Sequence, residues 1–280
     1  MDQPTDSIID AHIHIWDYAS YRNTGWLEDR PALKTSFQPP DLQPLLRASG
    51  VKEGVIVESD KTSYAYNIWW LEVTEYCPYL RAVILGADLL QDGLKLWLEA
   101  FTQWPGCKGI RSSLQGPPKE WAGHPTVSRA MKLLTEYGLA LELQVQTDQL
   151  DELGVVLEHH PDCQIILDAC AALPMHDAKA RTQWEELMRL VAGHEHVAIK
   201  CSCLPEICGN DPVEGRSLMH FLAETFGANR LIWGSGWPVL PEGQSYQQVL
   251  DFSRACLADL SPEDVIAVFG GNARRIYRMP

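Results

Sequence analysis

Short, β-branched apolar runs alternate with amphipathic stretches along the length of the chain. The runs predict strands at Ile8–His14, Gly54–Ser59, Arg81–Ala87, Gly109–Ser112, Ala140–Val145, Gln164–Asp168, Val197–Cys201 and Arg230–Trp233. Their starts fall mostly about 25 to 35 residues apart, the length of a repeating strand–helix unit. Between them, Thr126–Tyr137 carries Val127, Ala130, Met131 and Leu134 on one face and stops at Gly138, where a left-handed cap suits glycine. Asp148–His159 and Gln183–Val191 read the same way. Eight strands with intervening helices predict an α/β fold, a closed (β/α)8 TIM barrel spanning residues 1–280 as a single domain. A doubly wound open sheet is the rival, but it would carry a glycine-rich phosphate loop after the first strand. Here that position is aromatic and acidic, which favours the barrel.

The widest gap separates the first two strands. It holds Trp16, Tyr18, Tyr21 and Trp26 and runs to Pro39-Pro40, the composition of a lid or pocket wall.

Within the first strand, His12 and His14 are separated by one residue, so a regular strand points both imidazoles to one face. Two adjacent imidazoles in an apolar setting need a shared partner, which a metal ion or an anionic substrate group supplies. In a barrel, residues at the carboxyl ends of strands share one mouth. The remaining strand ends bring Glu58 and Asp60, Arg111, Glu142 and Gln144, Asp168 and Cys170, Lys200 and Cys201, and Gly234-Ser-Gly-Trp-Pro238 to that mouth. Arg111 there suits bidentate binding of a carboxylate. Lys200 interrupts an apolar strand and requires a buried partner, for which Asp168 is the candidate, as a structural or a catalytic pair. Trp16 and Trp237 are candidate apolar pocket walls.

Composition narrows the partners. A net charge of −14 over 280 residues argues against nucleic acid and against an anionic membrane surface, and no apolar run reaches membrane-spanning length. The eight cysteines (Cys77, Cys107, Cys163, Cys170, Cys201, Cys203, Cys208, Cys256) are scattered in apolar runs, and the polar opening lacks a cationic, apolar leader. Both features predict free thiols and a cytoplasmic protein acting on a small molecule, with a homo-oligomer left open.

The opening Asp10-Ala-His12-Ile-His14-Ile-Trp16-Asp17 resembles the amidohydrolase superfamily, specifically the amidohydrolase-related branch of sugar-acid and dicarboxylate lactonases. Matching stretches follow in order: Lys108-Gly-Ile-Arg111, Leu141-Glu-Leu-Gln144, Ile166-Leu-Asp168 to Pro174, Ile199-Lys200-Cys-Ser202, Leu231-Ile-Trp-Gly-Ser-Gly-Trp-Pro238 and Gly271-Asn272 to Tyr277. The resemblance implies a lactonase-like hydrolase acting on a small carboxylated or polyhydroxylated cyclic ester. It implies catalytic roles for His12, His14, Asp168 and Lys200, and substrate contacts from Trp16, Glu58, Arg111, Gln144, Cys170 and Trp237. Two positions depart from the branch. Ala169 stands where it carries histidine after the sixth strand, and Gly236 stands where it carries aspartate after the eighth. Only His12 and His14 then remain as metal ligands, so the expectation is an enzyme without a cofactor, with zinc as the alternative. The departures also keep open a metal-free enzyme of changed reaction (lyase, isomerase, dehydratase or cyclase) and a non-catalytic binding protein.

Overall fold

The structure is a computed structural model describing residues 7–21, 27–59, 63–113, 123–174 and 177–280. Eight parallel strands lie in sequence order: β1 (Ile8–Ile13), β2 (Val51–Val57), β3 (Leu80–Gly86), β4 (Cys107–Ser113), β5 (Ala140–Gln144), β6 (Ile165–Leu167), β7 (Val197–Ser202) and β8 (Leu231–Gly234). The ends of the sheet meet where Ile13 bridges Trp237, with Gly236 N donating to His12 O (2.9 Å) and His14 N donating to Trp237 O (2.7 Å). The architecture is a (β/α)8 barrel. Expected strands and observed strands agree in number and order, and their ends differ by up to three residues; β2 begins at Val51 because Lys52 and Glu53 continue the ladder although they break the apolar run.

Main helices follow each strand in turn: Pro39–Ser49, Tyr64–Tyr76, Leu94–Phe101, Pro125–Tyr137, Leu150–His159, Ala178–Ala192, Pro212–Phe226 and Tyr246–Cys256. Helix Pro125–Tyr137 buries the expected stripe of Val127, Ala130, Met131 and Leu134, and Gly138 closes it at φ +67°. Helix Ala178–Ala192 begins earlier than its apolar pattern, because the Asp177 side chain caps the amides of Lys179 and Ala180. No helix among the described residues is long and apolar enough to cross a membrane.

The alternation of strand residues divides the core in two. Ile56, Val83, Ile110, Leu141, Ile165, Ile199 and Trp233 face the helices, while Ile9, Ala11, Val55, Ala82, Ala140, Ile166, Ala198 and Ile232 fill the barrel. The inner set is small enough that the C-terminal residues Ala273, Ile276, Tyr277 and Met279 pack against it. This plug carries the Tyr277 hydroxyl deep into the barrel, beneath the mouth.

Candidate active site

Two residues further along each strand, the inward positions turn from apolar to charged. Gly109, Ala140, Ile166 and Ala198 give way to Arg111, Glu142, Asp168 and Lys200, all nearly or wholly buried. Arg111 Nε donates to Asp168 Oδ2 (2.6 Å), and its Nη1 donates to Glu58 Oε1 (3.1 Å). Lys200 Nζ donates to Glu142 Oε1 (2.5 Å) and lies 3.7 Å from Asp168 Oδ1. Tyr277 OH donates to the same Glu142 oxygen (2.5 Å). The short contact of Lys200 is therefore with Glu142, and Asp168 is its second partner.

His12 and His14 reach this layer through an irregularity in β1. The register runs Asp10 opposite Gly54 and Ile13 opposite Ile56, three steps against two. The extra residue is a bulge that turns His12 and His14 inward after Ala11, while Ile13 stays with the outer core. His14 Nδ1–H donates to Val57 O (3.0 Å), which leaves its Nε2 as an acceptor facing His12 Nε2 at 3.0 Å. Burial and the Arg111 guanidinium push His14 down to about 3, and burial with Lys200 pushes His12 well below its usual value, so both rings are neutral at ordinary pH. Burial opposes ionisation of Asp168, but Arg111 and Lys200 outweigh it and hold the carboxyl below its usual range. Glu142 is pushed the other way by burial, against the pull of Lys200.

Several polar atoms here have no hydrogen-bond partner among the described residues: His12 Nδ1, Asp168 Oδ1, Glu142 Oε2, and the hydroxyls of Ser59 and Ser202. His12 Nδ1 and Asp168 Oδ1 lie 3.7 Å apart. Buried polar atoms without partners at the carboxyl ends of these strands suit a polar ligand that supplies them.

The histidine pair also fits a divalent cation. With both Nε2 lone pairs turned to such an ion, His12 would carry its proton on Nδ1, facing the unpartnered Asp168 Oδ1. His12, Glu142 and Asp168 also place ligand atoms within 4.8 Å of one another. Lys200 and Arg111 already compensate those carboxylates, which makes that deeper cluster a poor cation site.

The other expected site residues divide. Glu58 and Gln144 stand at the mouth, and Trp237 is buried edge-on to Phe37 (5.6 Å between ring centroids). Trp16 and Cys170 are fully buried. Trp16 packs with Leu27 and donates its indole N–H to Thr35 O (2.7 Å); Cys170 is carried into the outer core by a left-handed turn. Asp60 and Trp26 lie outside the described residues. Gly236 sits at φ +78°, and a Cβ there would lie 3.0 Å from Cys203 Sγ. Ser59, Ser202 and Tyr277 were not singled out by sequence. Period-2 alternation from Val57 and from Lys200 reaches the two serines, whereas no local signal leads to Tyr277.

A family model described as Amidohydrolase matches residues 9–279. An L-fucono-1,5-lactonase of Burkholderia ambifaria is 30% identical over 279 residues, covering 97% of this chain and 95% of that protein. Among solved structures, an amidohydrolase from Burkholderia multivorans with bound zinc superposes with a TM-score of 0.88 at 24% identity, covering 98% of this chain and 100% of that one. A probable 2-pyrone-4,6-dicarboxylic acid hydrolase from Acinetobacter baumannii superposes with a TM-score of 0.82 at 16% identity, covering 97% and 99%.

Proposed function

The chain belongs to the amidohydrolase family, and from that premise we propose that it is a lactonase-like hydrolase of a small, polyhydroxylated cyclic ester. The observation that carries the proposal is the pair of partnerless buried polar atoms beside the two histidines, His12 Nδ1 and Asp168 Oδ1, which lie 3.7 Å apart. Substrate hydroxyls would partner them. The Arg111 guanidinium is held by Asp168 and Glu58, which favours a hydroxylated substrate over one recognised mainly by its carboxylate.

In this reading His12 accepts the proton of the attacking water at Nδ1 and returns it to the ring oxygen as the acyl C–O bond breaks and the lactone opens to the hydroxy acid. Its Nε2–H is held by His14, whose own ring is fixed on Val57 O. Asp168, ionised by Arg111 and Lys200, stabilises the imidazolium that forms, as a carboxylate beside a general-base histidine does. Lys200 places its charge inside the barrel, where it favours the developing oxyanion. A divalent cation such as zinc, held by His12 and His14, would supply Lewis-acid polarisation of the carbonyl; His12 would then carry its proton on Nδ1 toward Asp168 and serve as a ligand in place of the base.

The missing side chain at Gly236, with Cys203 beside it, supports a second reading: a metal-free enzyme that kept the pocket and changed the reaction. Both are tested with L-fucono-1,5-lactone and related sugar-acid lactones, following proton release and 18O incorporation from labelled water. Hydrolysis that His12→Ala or His14→Ala abolishes supports the first reading. No turnover across the lactone panel removes it.

A further inference from the structure

We propose that Asp10 is a positioning residue that sets the His12 imidazole through the backbone, with Tyr246 as its anchor. The proposal rests on the reading of His12 as the reactive group. A bulge removes a backbone N–H from the ladder and lets the strand bend. In β1 the His12 amide donates to Asp10 Oδ1 (3.1 Å), and the same oxygen accepts the amide of Ser235 (2.8 Å). The other oxygen, Oδ2, accepts the Tyr246 hydroxyl (2.7 Å) from the helix that follows β8. The carboxyl is wholly buried, and these three donors oppose the rise that burial imposes on it without cancelling it.

The peptide on the far side of His12 is held as well. Its carbonyl accepts the amide of Gly236 (2.9 Å), and Gly234 presses so close that a Cβ there would lie 2.4 Å from His12 Cβ. His12 is thus clamped at its amide, its carbonyl and its Cβ, and Asp10 is the clamp member that a point change can remove. Asp10 joins β1 to β8 at Ser235, next to the glycine that replaces the expected aspartate. The orientation of the histidine and the shape of that empty corner therefore depend on the same carboxyl. Misplacement of a reacting group by about 1 Å costs on the order of 100-fold in rate.

The test compares Asp10→Ala, Asp10→Asn and Tyr246→Phe, with L-fucono-1,5-lactone as the kinetic probe. The second readout is the ring 15N resonances of His12 in histidine-labelled protein, with kcat corrected for the folded fraction. Asparagine keeps the oxygen that accepts both amides and can donate to the Tyr246 hydroxyl. Asp10→Ala should lower kcat by about 100-fold with KM within about threefold and move the His12 resonances, while Asp10→Asn keeps most of both. Tyr246→Phe should lower kcat several-fold with a smaller resonance shift. It decides the matter if Asp10→Ala does not fold. Variants that lose thermal stability but keep the His12 resonances and kcat of the parent overturn the proposal. If the parent turns over no lactone, the functional reading fails while the resonances still decide the clamp.

Discussion

Replacing Lys200 with methionine removes a charge from a site with no solvent access and leaves Glu142 facing only Tyr277. Lys200 and Glu142 are both 0% exposed and 2.5 Å apart, with Asp168 Oδ1 at 3.7 Å from the same nitrogen. Breaking such a pair from one side costs about 3–5 kcal/mol. In a chain of 280 residues that is roughly 5–9 °C in Tm. The deficit should depend on pH. Glu142 already titrates above its usual 4.5 because it is buried, and Lys200 restrains that rise. Without the lysine the folded carboxyl binds a proton more tightly than the unfolded one does. Stability then falls as pH rises from about 4.5 through the folded value, so the deficit is larger at pH 8 than at pH 5.5. Adding Glu142→Gln removes the uncompensated carboxylate while the amide oxygen still accepts Tyr277 OH. The double variant should therefore be more stable than the sum of the singles implies, by about 2–3 kcal/mol. Urea melts of the four proteins at both pH values measure the cycle. Additive singles, or a Lys200→Met deficit below about 1 kcal/mol at pH 8, would refute the view that the lysine is held mainly by this charge pair.

Acid should weaken the fold before its carboxylates titrate. His14 ionises near 6.5 when unfolded and at about 3 when folded, so the unfolded chain binds more protons between those values and stability falls as pH drops through that window. At pH 5 His14 alone contributes a loss of about 2 kcal/mol, and His14→Gln should flatten the pH dependence of Tm measured with chelator present. Gly236→Asp should cost about 1–2 kcal/mol in thermal melts, because a Cβ at φ +78° also meets Cys203 Sγ at 3.0 Å; Cys203→Ala in the same chain should recover part of it. Zinc should bind weakly, since His12 and His14 are two donors where lasting zinc sites use three or more. One zinc per chain surviving dialysis would refute this.

The strand periodicity made the barrel readable because each strand's outward face had to be β-branched and apolar to meet a helix. His12 and His14 were readable for a different reason: two imidazoles in such a run contradict its burial unless they serve a site. The bulge that aims them was not readable, since it depends on β1 pairing with β2 and on the Asp10 carboxyl replacing the lost ladder bond. Lys200 was legible as a buried amine, but its nearest partner was not. Glu142 and Asp168 lie on adjacent strands, and only the three-dimensional stagger decides which carboxylate comes within 2.5 Å. Trp16 was readable as an aromatic in a mouth loop, whereas the Trp16–Phe37 bridge that folds this loop back was not, because it pairs residues about twenty positions apart.

The end of β6 shows how a substitution visible in the sequence acquires a consequence that is not. Ala169, Cys170, Ala171 and Ala172 all have positive φ, between 45° and 55°, a left-handed turn without glycine. Each such residue costs about 1–2 kcal/mol, so the turn persists only because its surroundings determine it. Ala171 N donates to Asp168 O (2.8 Å), and the Trp184 indole donates to Ala171 O (3.2 Å). The turn sends Cys170 into the outer core and leaves Asp168 as the last polar side chain of that strand, held by Arg111. Gly236 likewise ends β8 without a side chain. Two corners of the mouth thus lack the imidazole and carboxylate that the resemblance led one to expect there. In the reaction proposed above, proton transfer would therefore fall to groups on β1, β5, β7 and the end of β6, among which His12 Nδ1 is neutral and has the Asp168 carboxylate 3.7 Å behind it.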